Sequence, residues 1–182
     1  ATGDTYAYDP AWSSEQARKV WIESPPGLTV VVCDGSRVLG TAKMGPNRPG
    51  PGSHVATASF MVATDARGRG VGRALGEYAL QWARDHGYAA MQFSAVVASN
   101  QSAVHLWPAL AFTIIGTVPA AFEHPTLGRV GLHAATAVAH AAEPQARDGD
   151  TQDIGDHAAG DDAAHHQHGR LDSCPTARAP LC

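Results

Sequence analysis

Two rhythms of apolar and polar residues run through most of this chain. Leu28-Thr29-Val30-Val31-Val32 is a short β-branched run, Asp34-Gly35 follows, and residues 38–44 return as Val38-Leu39-Gly40-Thr41-Ala42-Lys43-Met44. β-Branched side chains suit a pleated, half-buried surface and Asp-Gly suits a tight hairpin turn, so the spacing predicts an antiparallel pair. Residues 45–53 hold three prolines and three glycines and read as a loop. Residues 54–62 read as a third strand. The rhythm then changes: Val71, Leu75, Tyr78, Ala79 and Trp82 recur at helical spacing, with Gly87 at the position of a C′ glycine. Upstream, Ser13 or Ser14 can cap a helix over residues 15–22 with a small apolar face, stopped by Pro25-Pro26-Gly27. Downstream, residues 91–97 predict a buried strand. A helix follows from Asn100, and Pro108 predicts that it kinks or ends early.

The pattern stops near Ala137. Every Trp, Tyr and Phe precedes that point, whereas residues 138–182 contain no aromatic residue and no Lys. Such a segment cannot bury enough apolar surface to offset the entropy of ordering its backbone, so a domain is expected over residues 1–137 and a disordered tail over 138–182. Eleven of the 13 basic residues are Arg and Ala is abundant. That mixture also fits out-of-frame reading of a high-GC gene, which resequencing the 3′ end tests. The His165-His166-Gln167-His168 cluster lacks fixed geometry for a selective metal site, and no metal is expected. The chain starts at Ala1 rather than Met, which implies a processed or incomplete N-terminus.

Charge narrows the partners. The net charge is -4, and the tail holds eight carboxylates against three Arg, so the remainder is close to neutral. Nucleic-acid affinity needs clustered Lys and Arg, so no nucleic-acid partner is expected. No run reaches the length of a membrane span and no signal-peptide layout opens the chain, so a soluble cytoplasmic protein with no membrane partner is expected. Cys33, Cys174 and Cys182 have no disulfide or zinc spacing and are expected to be reduced.

The segment that carries chemistry lies between the third strand and the long helix: Arg67-Gly68-Arg69-Gly70-Val71-Gly72-Arg73-Ala74. Glycines let backbone N–H groups converge on a ligand, and a helix N-terminus adds partial positive charge, so the turn suits phosphate. Its bland alternative is a surface turn rich in Gly and Arg. A P-loop is excluded because Arg73-Ala74 stands where Lys-Ser/Thr belongs. A dinucleotide fingerprint is disfavoured because Arg73 or Leu75 replaces its third glycine.

Arg67-x-x-Gly70-x-Gly72 between a strand and an amphipathic helix resembles the acetyl-CoA motif R/Q-x-x-G-x-G/A of the GNAT superfamily of N-acetyltransferases. The stretch from Asn100 to Phe112 is similar to the family's N-x-x-A-x-x-L-Y-x-x-x-G-F, with Asn100, Ala103, Leu106 and Phe112 matching. Phe122-Glu123-His124-Pro125-Thr126-Leu127-Gly128 and Gly52-Ser53-His54-Val55 look like a small bacterial subgroup of it. The resemblance implies an α/β (α+β) fold, a mixed, largely antiparallel central sheet flanked by helices. It also implies acetyl-CoA as co-substrate, a small-molecule or peptide amine as acceptor, and a possible homodimer. The strand ending at Met61, Val62 and Ala63 would pair with the pantetheine arm. The amides of Arg67, Gly68, Arg69, Gly70, Val71, Gly72, Arg73 and Ala74 would hold the pyrophosphate. Asn100 would face the pantetheine or substrate side, with Ala103 and Trp107 at the sulfur end, and a backbone N–H of the splayed strand would stabilise the oxyanion.

Departures accompany the match. Trp107 replaces the family's Tyr, a frequent general acid, and is either core or a coenzyme contact; loss of the acid is tolerable because a thiolate leaves readily. Ala111 replaces a glycine. A strand and helix before Thr5 are missing, and Leu132-His133-Ala134-Ala135 diverges in the last strand, so damage is expected at both edges of the fold. Glu123, His54, Tyr8 and Asp9 are the candidate general bases, none singled out, and water relay removes the need for one. The expected activity is direct acetyl transfer to a primary amine; the alternatives are a non-catalytic acyl-CoA-binding or sensory module, or an inactive fragment.

Overall fold

The computed structural model describes residues 3–6, 8, 9 and 11–139 of the chain. The expected tail, its histidine cluster, Cys174 and Cys182 lie outside them. A helix α1 (Ser14–Trp21) precedes a hairpin of β1 (Leu28–Asp34) and β2 (Arg37–Pro46), then β3 (Val55–Val62), helix α2 (Val71–Asp85), β4 (Ala90–Val97), helix α3 (Gln101–Ala109), β5 (Thr113–His124) and β6 (Gly128–Val138). The six strands form one sheet in the order β1-β2-β3-β4-β6-β5, in which only β3 and β4 run parallel. This is the mixed, largely antiparallel sheet that the resemblance implied.

Local chemistry explains the boundaries. Ser13 caps α1 with a reciprocal pair: its Oγ accepts from Gln16 N–H (3.2 Å) while Gln16 Oε1 accepts from Ser13 N–H (2.8 Å). The β1–β2 hairpin turns on Gly35 and Ser36 between paired Asp34 and Arg37, with Gly35 at φ 58°. β2 is longer than the sequence suggests. Gly45 and Pro46, assigned to the following loop, pair with Thr57 and Ala56, because a proline at a strand's last position loses no needed ladder bond. α3 contains Pro108 and ends one residue after it.

Period-two alternation gives the sheet two faces. Ala42, Met44, Ala56, Met91, Phe93, Ala135 and Ala137 are buried with Leu75, Ala79, Trp82 and Ala83 of α2, forming the main core. Truncating a side chain such as Leu75 to Ala there would cost about 2–5 kcal/mol. The opposite face carries Thr41, Lys43, Thr57 and Ser59, and α1 is tied to it by hydrogen bonds: Trp21 Nε1–H donates to Thr41 Oγ1 (3.0 Å) and Lys43 Nζ donates to Val20 O (2.7 Å). α2 comes close to β2 because position 40 has no side chain. A Cβ there would stand 2.8 Å from Val71 Cγ1 and 3.1 Å from Leu75 Cδ1.

The divergent stretch Leu132-His133-Ala134-Ala135 does not damage the last strand. β6 is continuous, pairing Leu132, His133 and Ala135 with Val97, Val96 and Phe93 on one side and with Val118, Thr117 and Ile114 on the other. Ladder hydrogen bonds use the backbone, and the small Ala135 and Ala137 fit the buried face, so departure from the family's side chains does not cost the strand. No helix among the described residues is long and apolar enough to cross a membrane.

Candidate active site

The sheet parts at its centre. β3 and β4 pair only at Val55↔Ala90 and Ala56↔Met91, and beyond those positions β3 has no partner on that side. β4 bends at the same level, where the Phe93↔Ala135 and Val96↔His133 pairs leave one extra residue on β4. The register identifies which backbone groups face the gap. Asn47 N–H donates to Val55 O (2.7 Å) and Ala63 N–H donates to Leu39 O (2.8 Å), so odd-numbered residues of β3 point to β2; Ala89 N–H donates to His54 O (2.9 Å), so even-numbered ones point to β4. Ala58, Phe60 and Val62 therefore present their N–H and C=O groups to the open side. Of the three residues the sequence assigns to pantetheine, Val62 faces the gap, whereas Met61 and Ala63 are turned toward β2.

β3 leads directly into the glycine-rich turn. After a 3-10 turn at Thr64–Ala66, Gly68 and Gly70 adopt φ of 74° and 82°, and Gly70 is the N-cap of α2 with no side-chain cap. Helix geometry leaves the N–H groups of Val71, Gly72 and Arg73 without intrahelical partners, while Ala74 N–H already donates to Gly70 O (3.0 Å). A Cβ at Gly68 or Gly70 would meet nothing within 4 Å, so the turn is open where those side chains would stand. Exposed Arg67, Arg69 and Arg73 surround it. Arg69 reaches Asp34 at 4.0 Å and Arg73 reaches Glu77 at 3.7 Å, while Arg67 makes no ion pair among the described residues. An anion with several phosphate oxygens fits this cradle.

Asn100 caps α3, its Oδ1 accepting from Ala103 N–H (3.3 Å), and so serves the helix start. Ala103 is half-buried against the core. Trp107 is only 7% exposed and packs on Phe60, Phe93 and Phe112, with ring centroids 4.9, 4.7 and 5.7 Å away. That packing accounts for the indole as core.

The four candidate bases are scattered. Tyr8 lines a cleft of about 360 Å³ on the α1 face, together with Glu23, Lys43, Thr57 and Ser59. Asp9 Oδ1 accepts from Ala11 N–H (2.8 Å) in a local turn. His54 lies before the first residue of β3, at the paired end of β3 and β4, with Nδ1 3.0 Å from Pro51 O. Glu123 is exposed on β5, an edge strand of the sheet, opposite Arg129. Sequence reasoning missed two groups that line the cleft, Glu23 and Lys43, and Tyr6, which packs on Tyr8. Lys43 Nζ donates to Glu23 Oε1 (3.0 Å) with both side chains largely shielded. Tyr6, mostly buried, packs its ring on Tyr8 and Trp21, and burial pushes its pKa up to about 12. The alternation Thr41, Lys43 and Thr57, Ser59 was the available signal, marking a polar strand face that something must cover. No group of three or more His, Cys, Asp or Glu among the described residues is placed to hold a metal.

A single sheet opened at its centre, with a phosphate-fitting helix N-terminus at the end of the opened strand, defines the architecture of the acyl-CoA N-acyltransferases. Comparison with known proteins agrees. Residues 3–112 match the acetyltransferase (GNAT) family. A GCN5-related N-acetyltransferase from Kribbella flavida is 56% identical, with TM-score 0.73 over 75% of this chain and 83% of that one. The protein yncA from Salmonella typhimurium, solved with acetyl-CoA, shares the fold at 22% identity and TM-score 0.61, over 78% of this chain and 84% of that one. The N-acetyltransferase aca1 of Schizosaccharomyces pombe is 35% identical over 81 residues, 44% of this chain. The chain spans less than half the length of the curated relatives it matches, 39% of aca1 and 13% of the protein SPT10 of Saccharomyces cerevisiae. The chain belongs to the acetyltransferase (GNAT) family.

Proposed function

We propose that this protein is an acetyl-CoA-dependent N-acetyltransferase acting directly on a primary amine of a small molecule or peptide. The observation that carries the reading is the continuity of β3 with the glycine-rich turn: one strand offers unpaired inward-facing backbone groups at Ala58, Phe60 and Val62 and ends in an open ring of amides at the start of α2. Acetyl-CoA supplies the acetyl thioester. The N–H groups from Gly70 to Arg73 and the charges of Arg67, Arg69 and Arg73 hold its phosphates. Val62 and its inward-facing neighbours hydrogen-bond the pantetheine amides as an added strand would. Phe60 N–H, aimed into the gap, receives the thioester oxygen as negative charge builds on it. The acceptor enters from the α1 face, where Tyr8 and Glu23 border the cleft and the Glu23 carboxylate can accept a proton from the attacking nitrogen. A cytoplasmic location and a homodimer belong to the same reading.

Trp107 favours the second reading, a non-catalytic acyl-CoA-binding module, because the position matching the family's acidic hydroxyl holds a core indole. Calorimetry with acetyl-CoA, followed by thiol release across a panel of amino acids, polyamines, aminoglycosides and peptides, separates them. Binding with amine-dependent thiol release supports the enzyme; binding with no release for any amine supports the module.

A further inference from the structure

The cleft on the α1 face is lined by an ion pair whose chemistry narrows the acceptor. Among the described residues that line it, Lys43 carries the only positive charge and Glu23 the only negative one. Lys43 Nζ uses two of its three N–H groups, on Val20 O (2.7 Å) and Glu23 Oε1 (3.0 Å). Its third N–H and Glu23 Oε2 have no hydrogen-bond partner among the described residues. The two side chains remain 17% and 34% exposed, so neither charge is sealed off from the cleft. Tying α1 to β2 accounts for the Val20 contact. It does not account for a charged pair, costly to shield from water, at a cleft that extends to Ala58 and Ser59, next to Phe60 in β3.

A diamine held at Glu23 would set its second ammonium against the Lys43 charge. An amine with no other charge would leave the third Lys43 N–H without an anionic partner. A molecule carrying ammonium and carboxylate side by side meets both groups, the carboxylate at Lys43 Nζ and the ammonium at Glu23. Bond lengths place the nitrogen of an α-amino acid about 3 Å from its nearer carboxylate oxygen, which matches the 3.0 Å between Lys43 Nζ and Glu23 Oε1. We infer that the acceptor is a free α-amino acid and that Lys43 selects it by its carboxylate. The inference rests on the acetyl-CoA reading of the site, in which Glu23 takes the proton of the attacking nitrogen. Anchoring the carboxylate on Lys43 holds that nitrogen at Glu23, in the cleft bordered by the strand that receives the thioester.

The test compares each of the common amino acids with its own α-carboxamide, which keeps the amine and side chain and lacks the negative charge. Calorimetry on the full chain with free CoA present gives the affinity ratio, and thiol release from acetyl-CoA gives the ratio of kcat/KM. At least one amino acid is expected to exceed its amide in both by about ten- to a hundredfold, the worth of a charge-assisted hydrogen bond. Lys43→Met removes the cation and is expected to bring those ratios near unity. A purely structural Lys43 would weaken amino acid and amide alike and leave their ratio unchanged, which overturns the inference. If Lys43→Met does not fold, the wild-type ratios decide: values near unity for every pair overturn it. Acetyl transfer to amines or peptides without an α-carboxylate, and to no amino acid, overturns the inference and leaves the proposed function standing. No transfer to any amine overturns both.

Discussion

Gly70 offers the sharpest perturbation of the coenzyme site. Its φ of 82° lies where an L-residue pays about 1–2 kcal/mol, and its absent Cβ points into open space, so a side chain there meets strain but no clash. Gly70→Ala therefore loses about 1–2 kcal/mol of stability and leaves the amides of Val71, Gly72 and Arg73 accessible. Gly70→Glu bears the same strain and adds a carboxylate in front of those amides. At about 6 Å from a bound phosphate, a unit charge in an effective dielectric of about 20 opposes it by about 3 kcal/mol, and exposure of the turn lowers that to about 1–2 kcal/mol. Calorimetry should then show acetyl-CoA binding weakened about five- to thirtyfold in Gly70→Glu relative to Gly70→Ala. Raising the salt concentration should narrow that gap. Equal affinities for the two variants at low salt would refute the placement of phosphate at this helix N-terminus.

Individual residues elsewhere carry further expectations. Ala111 holds φ 64° at the C′ position of α3, where its N–H donates to Pro108 O and Phe112 N–H to Trp107 O (both 3.0 Å), so Ala111→Gly should raise the melting temperature by a few degrees as strain is relieved. Ser99 Oγ is buried without a hydrogen-bond partner among the described residues, so Ser99→Ala should be neutral or stabilising by about 1 kcal/mol in urea unfolding. Tyr6 keeps its proton to about pH 12 in the folded chain, whereas an unfolded tyrosine loses it near pH 10. The folded state then binds the extra proton, so stability falls between pH 10 and 12, by about 2–3 kcal/mol from this group. Burial pushes Tyr88 in the same direction, so the comparison that isolates Tyr6 is wild type against Tyr6→Phe, whose stability should fall less steeply over that window.

Local signals carried much of the fold. The Asp34-Gly35 hairpin, the helical spacing from Val71 to Trp82 and the punctuation at Pro108 each depend on neighbours in sequence, and each stands in the structure close to where the pattern put it. The glycine-rich turn was legible for the same reason, since positive φ at Gly68 and Gly70 and an uncapped helix start are local requirements. What escaped depends on distance. Whether Met61 or Val62 faces the gap is decided by pairing with β2, a partner some twenty residues upstream, and a shift of one residue reverses it. Trp107 reads equally as core or contact in sequence, and three aromatic neighbours from β3, β4 and β5's approach decide its packing. Tyr6 carried no motif at all. Its packing on Tyr8 and Trp21 is a tertiary contact that no local pattern marks.

The most direct test of the central claim is to follow radiolabelled acetyl-CoA with the full chain and a panel of primary amines. The account predicts label transferred to at least one amine as an amide, in step with the CoA thiol released, and reduced in Gly70→Glu relative to Gly70→Ala at subsaturating coenzyme. Label that stays on acetyl-CoA with every amine, while the coenzyme binds the chain tightly, would contradict it.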